Sequence, residues 1–244
     1  MTPPPTDVAS LAHASLSAAL SLVFPTWCAG CDAPDTPLCA ACRATLAPRV
    51  LTRSADGLRV SSGLAFEGVA ARILRAAKED GRTGLLRALA PALGAAVEAA
   101  LAAASAGPVV LVPVPTSPGA MRRRGYRVVE TIARRAHLPL RRLLVVGAGA
   151  ADQRRLGRAE RADNVAGAMR ARVAEAMHTP AAAGLRVIVI DDVVTTGATL
   201  GEATRALTAA GAHVLGAATV ASTPRRSATA GAEHTQALVT GNGR

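Results

Sequence analysis

Residues Leu185 to Leu200 read LRVIVIDDVVTTGATL. Val187 to Ile190 form an unbroken run of branched apolar side chains without alternation, the pattern of a strand buried on both faces of a parallel sheet. The run is expected to stop at two adjacent carboxylates, Asp191 and Asp192, after which Thr195-Thr196-Gly197-Ala198-Thr199 opens a helical pattern. That order of strand, loop and helix puts a ligand at the carboxyl end of the strand. A helix start made of small hydroxyl residues around Gly197 leaves backbone N–H groups free, and the helix dipole adds partial positive charge, so a phosphate fits there. Two carboxylates beside such a cradle would repel a phosphate unless they serve another group, such as sugar hydroxyls or a divalent cation. A sugar phosphate meets both demands. The competing reading is that the acidic pair only caps the following helix.

A second strand is expected over Val109 to Val114, leading into the Pro-stiffened turn Pro115-Thr116-Ser117-Pro118 at the same sheet edge. Met121 to Arg127 then gathers Arg122, Arg123, Arg124 and Arg127 with the chain's one tyrosine, Tyr126, around Gly125. Guanidinium forks suit pyrophosphate oxygens and an aromatic ring can stack on a base, so this segment reads as a mobile, anion-holding loop. Upstream, a short amphipathic helix from Val69 delivers Lys78, the only lysine in a chain that otherwise uses Arg for every side-chain cation. A compact ammonium at that place suggests a specific task; a chance survivor is the alternative. Thr83 to Ala104 has helical spacing with Pro91 inside it and is expected to be one bent or broken helix. A further helix near Val128 to Ala136, a strand at Leu143 to Val146 and a last strand at Val214 to Val220 complete the pattern. Leu46 to about Gly68 reads as a polar passage.

The four cysteines, Cys28, Cys31, Cys39 and Cys42, form two CxxC pairs separated by seven residues. Each pair can present two thiolates to one ion, and two pairs complete a tetrahedral zinc site. With all four positions filled by protein, such a zinc is structural rather than catalytic. Disulfides are the competing reading, disfavoured in a reducing cytosol.

The 244 residues allow one medium domain plus a small module, and with half of them hydrophobic the chain can build a real core. Aromatic residues make up only 2%, so that core must be Ala, Val and Leu. The net charge of +11 is regional: fourteen Arg against four acids lie between Met121 and Arg172. This can mean a polyanion groove or only a solvated basic face. Val8 to Phe24 reads as a helix with one greasy face, without the basic start of a signal peptide and too short and Ser-rich to span a membrane. A cytoplasmic protein with no membrane span is expected. The expected divisions are an N-terminal helix and disordered start (1–23), a zinc module (24–48), a main domain (60–223) and a flexible tail (224–244).

The DDVVTTGAT run resembles the 5-phosphoribosyl-1-pyrophosphate (PRPP) loop of type I phosphoribosyltransferases. The resemblance implies that Asp191 and Asp192 face the ribose hydroxyls, that Thr195, Thr196, Gly197, Ala198 and Thr199 wrap the 5-phosphate, and that Val193 belongs to the same PRPP-binding run. It assigns Pro115, Thr116 and Ser117 to the pyrophosphate, with Mg accompanying PRPP. The cysteine pairs, the lysine segment, the VPVP turn, the RRGY segment, Gln153 to Asn164 and the DDVVTTGAT run, in this order, resemble the ComF family of zinc-bearing proteins linked to DNA uptake. The implied fold is α/β, a type I phosphoribosyltransferase-like parallel sheet flanked by helices with a small N-terminal four-cysteine zinc module.

The implied activity is Mg-assisted transfer of ribose 5-phosphate from PRPP to an acceptor, with Asp191, Asp192, Lys78 and Arg124 as catalytic candidates. The other implied role is a non-catalytic PRPP-binding module that holds single-stranded DNA through Arg122, Arg123, Tyr126, Arg127, Arg154 and Arg155, or docks a helicase-like competence protein. The chain departs from the family at Arg127, Val128 and Val129, where Asn and Gln are usual, and at Glu79, where an aromatic is usual.

Overall fold

The computed structural model describes residues 26–147, 167–172 and 184–224, and fourteen helical and strand segments lie among these described residues. The expected helix at Val8 to Phe24, the Gln153 to Asn164 segment with Arg154 and Arg155, and the tail beyond residue 224 lie outside the described residues. The order is α1 (Ala40–Ala44), β1 (Leu51–Ala55), β2 (Leu58–Ala65), α2 (Gly68–Glu79), a 3-10 segment (Thr83–Leu89), α3 (Ala90–Ala102), β3 (Val110–Pro113), α4 (Pro118–Arg124), α5 (Val128–Arg135), β4 (Leu144–Val146), β5 (Met169–Ala171), β6 (Arg186–Val194), α6 (Ala198–Ala209) and β7 (His213–Ser222).

The main sheet has the order β1-β2-β7-β6-β3. All neighbours in it are parallel except the β1/β2 hairpin. β4 and β5 form a separate antiparallel pair. Val187 to Ile190 are fully buried, as a central strand covered on both faces requires. Ile188 and Ile190 pack toward α2, the 3-10 segment, α3 and α5, whereas Val187 and Val189 pack toward α6 and the β4/β5 pair. The alternation of one strand thus divides two cores. Pro91 sits in the first turn of α3, where its missing N–H costs nothing, and the preceding residues wind as the 3-10 segment. The stretch Thr83–Ala102 is apolar and long enough to cross a membrane, but Leu86, Leu89, Leu93, Ala96 and Val97 from it are buried in the protein's own core.

Three local expectations are corrected. β6 does not stop at the acidic pair: it continues to Val194, because β7 runs alongside and pairs with Asp191, Val193 and Val194. The passage after Leu46 contains the β1/β2 hairpin, turned at Asp56-Gly57, both with positive φ. An Asp-Gly pair between strands is a strong two-residue hairpin signal that the polar composition concealed. The basic segment after Pro118 is not a loop but α4, begun by the Ser117 cap and ended at left-handed Gly125.

Candidate functional site

Asp191 and Asp192 stand near the carboxyl end of β6, where the sheet loses one neighbour: β3 ends at Pro113, opposite Ile190. The chain after β3 therefore turns away beside the acidic pair, with the Val114 amide still bonded to the Ile190 carbonyl at 2.9 Å. This brings Pro115, Thr116 and Ser117 to the edge that carries Asp191. Ser117 has a local duty there, since its hydroxyl accepts from the Ala120 amide at 3.2 Å and caps α4.

Asp192 is ion-paired to Lys78 Nζ at 2.8 Å, both side chains being largely buried. The lone lysine thus reaches the site from the end of α2, held against a carboxylate rather than standing free for a leaving group. Asp191 accepts from the Asp192 amide at 2.8 Å. Its carboxyl is pushed up to about 7, chiefly by burial and then by the negative charge of Asp192, with the amide bond and Lys78 pulling the other way. Two adjacent acids in unlike surroundings, one paired and one not, can accept hydrogen bonds from neighbouring hydroxyls while sharing little charge.

The turn that follows is built around Gly197 at φ 104°, a left-handed conformation costly for other residues. A Cβ at this position would also lie 2.8 Å from the Ala55 Cβ. Thr196 caps the start of α6, accepting from the Ala198 amide at 3.3 Å. Among the described residues the Thr196 and Gly197 amides carry no hydrogen bond, and with the first turn of α6 they form a cradle of N–H donors. Thr195 and Thr196 are exposed, and Ala198 and Thr199 are half-buried. Arg53 on β1 clamps the loop by donating to the carbonyls of Thr195 and Thr223. Arg53 was not anticipated, because nothing local marks it as the partner of a loop 142 residues away.

The basic segment divides. Arg122 and Arg123 are exposed on α4, and Arg124 is half-buried. Tyr126 packs on the core and its hydroxyl donates to the Ala77 carbonyl of α2, which directs the ring inward. Arg127 pairs with Glu130 at 3.5 Å. Val128 and Val129 are buried on α5, so apolar residues at these positions serve packing. Glu79 is exposed at the end of α2. A buried carboxylate escaped the sequence reading: Glu202 of α6 accepts from Arg205 at 2.7 Å and from the Met169 amide at 2.9 Å, tying α6 to β5. The Arg205 hydrogen bonds hold its carboxyl down at about 2.

In the N-terminal module the Sγ atoms of Cys28, Cys31, Cys39 and Cys42 all lie within 4.8 Å of one another. Thiolates about 2.3 Å from a tetrahedral zinc stand about 3.8 Å apart, and Cys31 and Cys39 are 3.7 Å apart. The amides of Gly30 and Cys39 donate to the Cys28 sulfur at 3.4 and 3.3 Å. Burial works against ionisation of Cys28, but these N–H donors prevail and bring its thiol down to about 6. Gly30 is obligatory, since a Cβ there would lie 2.6 Å from Cys42 Sγ. The donor set fits zinc and leaves no protein position open for water. The module shares the core of the main domain: Cys28, Leu38, Cys42 and Leu46 pack with Ile73 and Leu74 of α2. Arg72 of α2 bonds Asp32 at 2.6 Å and the Ala29 carbonyl at 3.2 Å.

Comparison with known families finds the phosphoribosyl transferase domain over residues 90–235, more than half of the chain. That span contains β3, the acidic pair and the Thr/Gly turn; the cysteines and Lys78 precede it. No curated protein matches the chain.

Proposed function

Because this chain belongs to the phosphoribosyl transferase domain family, we propose that it binds PRPP with Mg²⁺ and transfers ribose 5-phosphate to a nucleophilic acceptor. The observation that carries this reading is the succession along β6 and α6: two unlike carboxylates, then a left-handed glycine opening a cradle of free amides. Asp191 and Asp192 accept hydrogen bonds from the ribose 2- and 3-hydroxyls. The free amides of Thr196 and Gly197, with the hydroxyls of Thr195 and Thr199, hold the 5-phosphate. Pro115 to Ser117 line the pyrophosphate side, where Arg124 supplies positive charge; Mg²⁺, when bound, would neutralise further charge on the pyrophosphate. The bond from the ribose anomeric carbon to pyrophosphate breaks, the pyrophosphate keeping the electron pair, and a bond to the acceptor forms as its proton passes to solvent. Positive charge that develops on the ribose is stabilised by the carboxylate pair, with Lys78 fixing the position of Asp192.

The four-cysteine module ahead of this domain supports placing the chain with ComF proteins, in a cytoplasm where zinc thiolates persist. A second reading, a PRPP-binding module that holds single-stranded DNA or a competence helicase without turnover, is favoured by Arg122 and Arg123, both exposed on α4 and without an ion pair among the described residues.

The test is calorimetric titration of Mg-PRPP into the zinc-loaded chain and into an Asp191→Ala, Asp192→Ala double variant, with released pyrophosphate assayed against candidate bases. Binding to the wild type alone, with pyrophosphate released when an acceptor is present, is the expected result. Binding without release under any acceptor supports the second reading. A wild type that does not bind Mg-PRPP overturns both.

A further inference from the structure

Away from the β6 site, a cleft of about 480 Å³ opens between the cysteine module, the 3-10 segment and α5. Arg43 enters it from the module, Arg82 and Arg87 from the 3-10 segment and its approach, and Arg135 from the end of α5. None of the lining residues is acidic. Four arginines outside the cleft, Arg72, Arg127, Arg142 and Arg205, are each matched to a carboxylate. In the cleft, Arg82 is held by the carbonyls of Trp27 and Pro37 at 2.8 and 3.3 Å, which fixes its guanidinium without neutralising it. Arg43, Arg87 and Arg135 are exposed, and their side chains make no hydrogen bond or ion pair among the described residues.

Four cations from three separate elements repel one another where they converge, and a bound anion removes that cost. Guanidinium forks match phosphate oxygens, and several forks around one space match several phosphates. The floor is apolar, with Leu38 and Leu85 buried beneath the charges. An organic ring can lie on such a floor while its phosphates meet the arginines. The volume is in the range of small-molecule sites, about 300–1,000 Å³, and suits a mononucleotide better than a strand running through.

We propose that this cleft is a second anion site that binds a nucleotide-sized organic polyphosphate. It is separate from the β6 loop, since neither β6 nor α6 lines it. One of its walls, Pro37, Leu38 and Arg43, belongs to the cysteine module, so its shape depends on that module being folded. The assignment is independent of PRPP binding.

ATP and inorganic tripolyphosphate, titrated into the full zinc-loaded chain with and without saturating Mg-PRPP, test the assignment. One ATP per chain is expected, bound more tightly than tripolyphosphate and not displaced by PRPP. Arg87→Ala with Arg135→Ala should weaken ATP at least tenfold with an unchanged thermal midpoint. The charge-matched pair Arg59→Ala with Arg75→Ala, exposed and outside the cleft, should leave affinity within twofold. Absence of ATP binding, equal weakening by the control pair, or displacement by PRPP would each overturn the proposal. So would capture of a single-stranded oligonucleotide with ATP and tripolyphosphate silent, which would make the cleft a strand-phosphate contact. Equal affinity for ATP and tripolyphosphate would remove the apolar floor from the recognition.

Discussion

The cysteine cluster and the acidic-hydroxyl loop flank the same helix, α2, yet they are made in opposite ways. The cluster draws all four ligands from Cys28 to Cys42, and its tightest constraint, the approach of Gly30 to Cys42, is local. The loop after β6 is positioned by remote parts of the chain: Lys78 from α2, Arg53 from β1, and Ala55, against which Gly197 must fit. A local site tolerates change elsewhere and collapses when a ligand is lost. A site assembled from distant strands can be degraded from many places.

The sharpest way to break this contrast is Cys42→Ser. Cys42 is both a ligand candidate and a core residue, so zinc content should fall from one per chain to near zero. Stability should drop by at least about 3 kcal/mol, in the range for losing a buried, metal-linked contact. Metal analysis with thermal unfolding checks this, and retention of full zinc would show that the other three thiolates suffice.

Gly197→Ala addresses the other region. Strain at φ 104° and the 2.8 Å approach to Ala55 should together cost roughly 1–3 kcal/mol and weaken Mg-PRPP binding, while zinc content stays unchanged. Loss of zinc in this variant would mean the two regions are not separable.

Asp191 offers a test with opposite signs. Its folded carboxyl titrates near 7, above the ordinary 3.8, so the folded state prefers it protonated. Its contribution to stability is therefore fullest below the ordinary value, is lost as pH rises toward about 7, and is flat above that. Asp191→Asn should stabilise the protein at pH 8 by on the order of 2 kcal/mol while weakening Mg-PRPP binding, the mark of a residue kept for function. Wild-type affinity for Mg-PRPP should also fall by up to tenfold per unit as pH drops below about 7.

Glu202 separates packing from binding, with no expected change in ligand affinity. Its carboxyl is held down at about 2 from an ordinary 4.5, so its contribution is present above about 4.5 and is lost as pH falls toward about 2. Glu202→Gln should cost about 1–3 kcal/mol in denaturant unfolding at neutral pH, from Arg205 and the Met169 amide losing a charged acceptor. Mg-PRPP affinity should not move; a change in it would tie α6 packing to the phosphate cradle.

Much of the architecture was legible because it rests on short-range rules. The buried run at Val187 to Ile190, the CxxC spacing and the amphipathic helix carrying Lys78 each announce themselves within a few residues. The β1/β2 hairpin was missed although Asp56-Gly57 signals it, because the flanking residues are more polar than those of the inner strands. Helix α4 was missed because three successive arginines look like a loop until the Ser117 cap and the Gly125 stop are taken together.

The sequence by itself determined the parallel sheet, the four-thiolate cluster and the order of acid, hydroxyl and glycine after β6, since each follows from side-chain chemistry at fixed local spacing. Tertiary structure alone decided that Lys78 meets Asp192, that Arg53 clamps Thr195, that Tyr126 turns inward to Ala77, and that four arginines from three elements face one cleft. These depend on which distant surfaces pack together, and packing is set by the whole core rather than by any one segment.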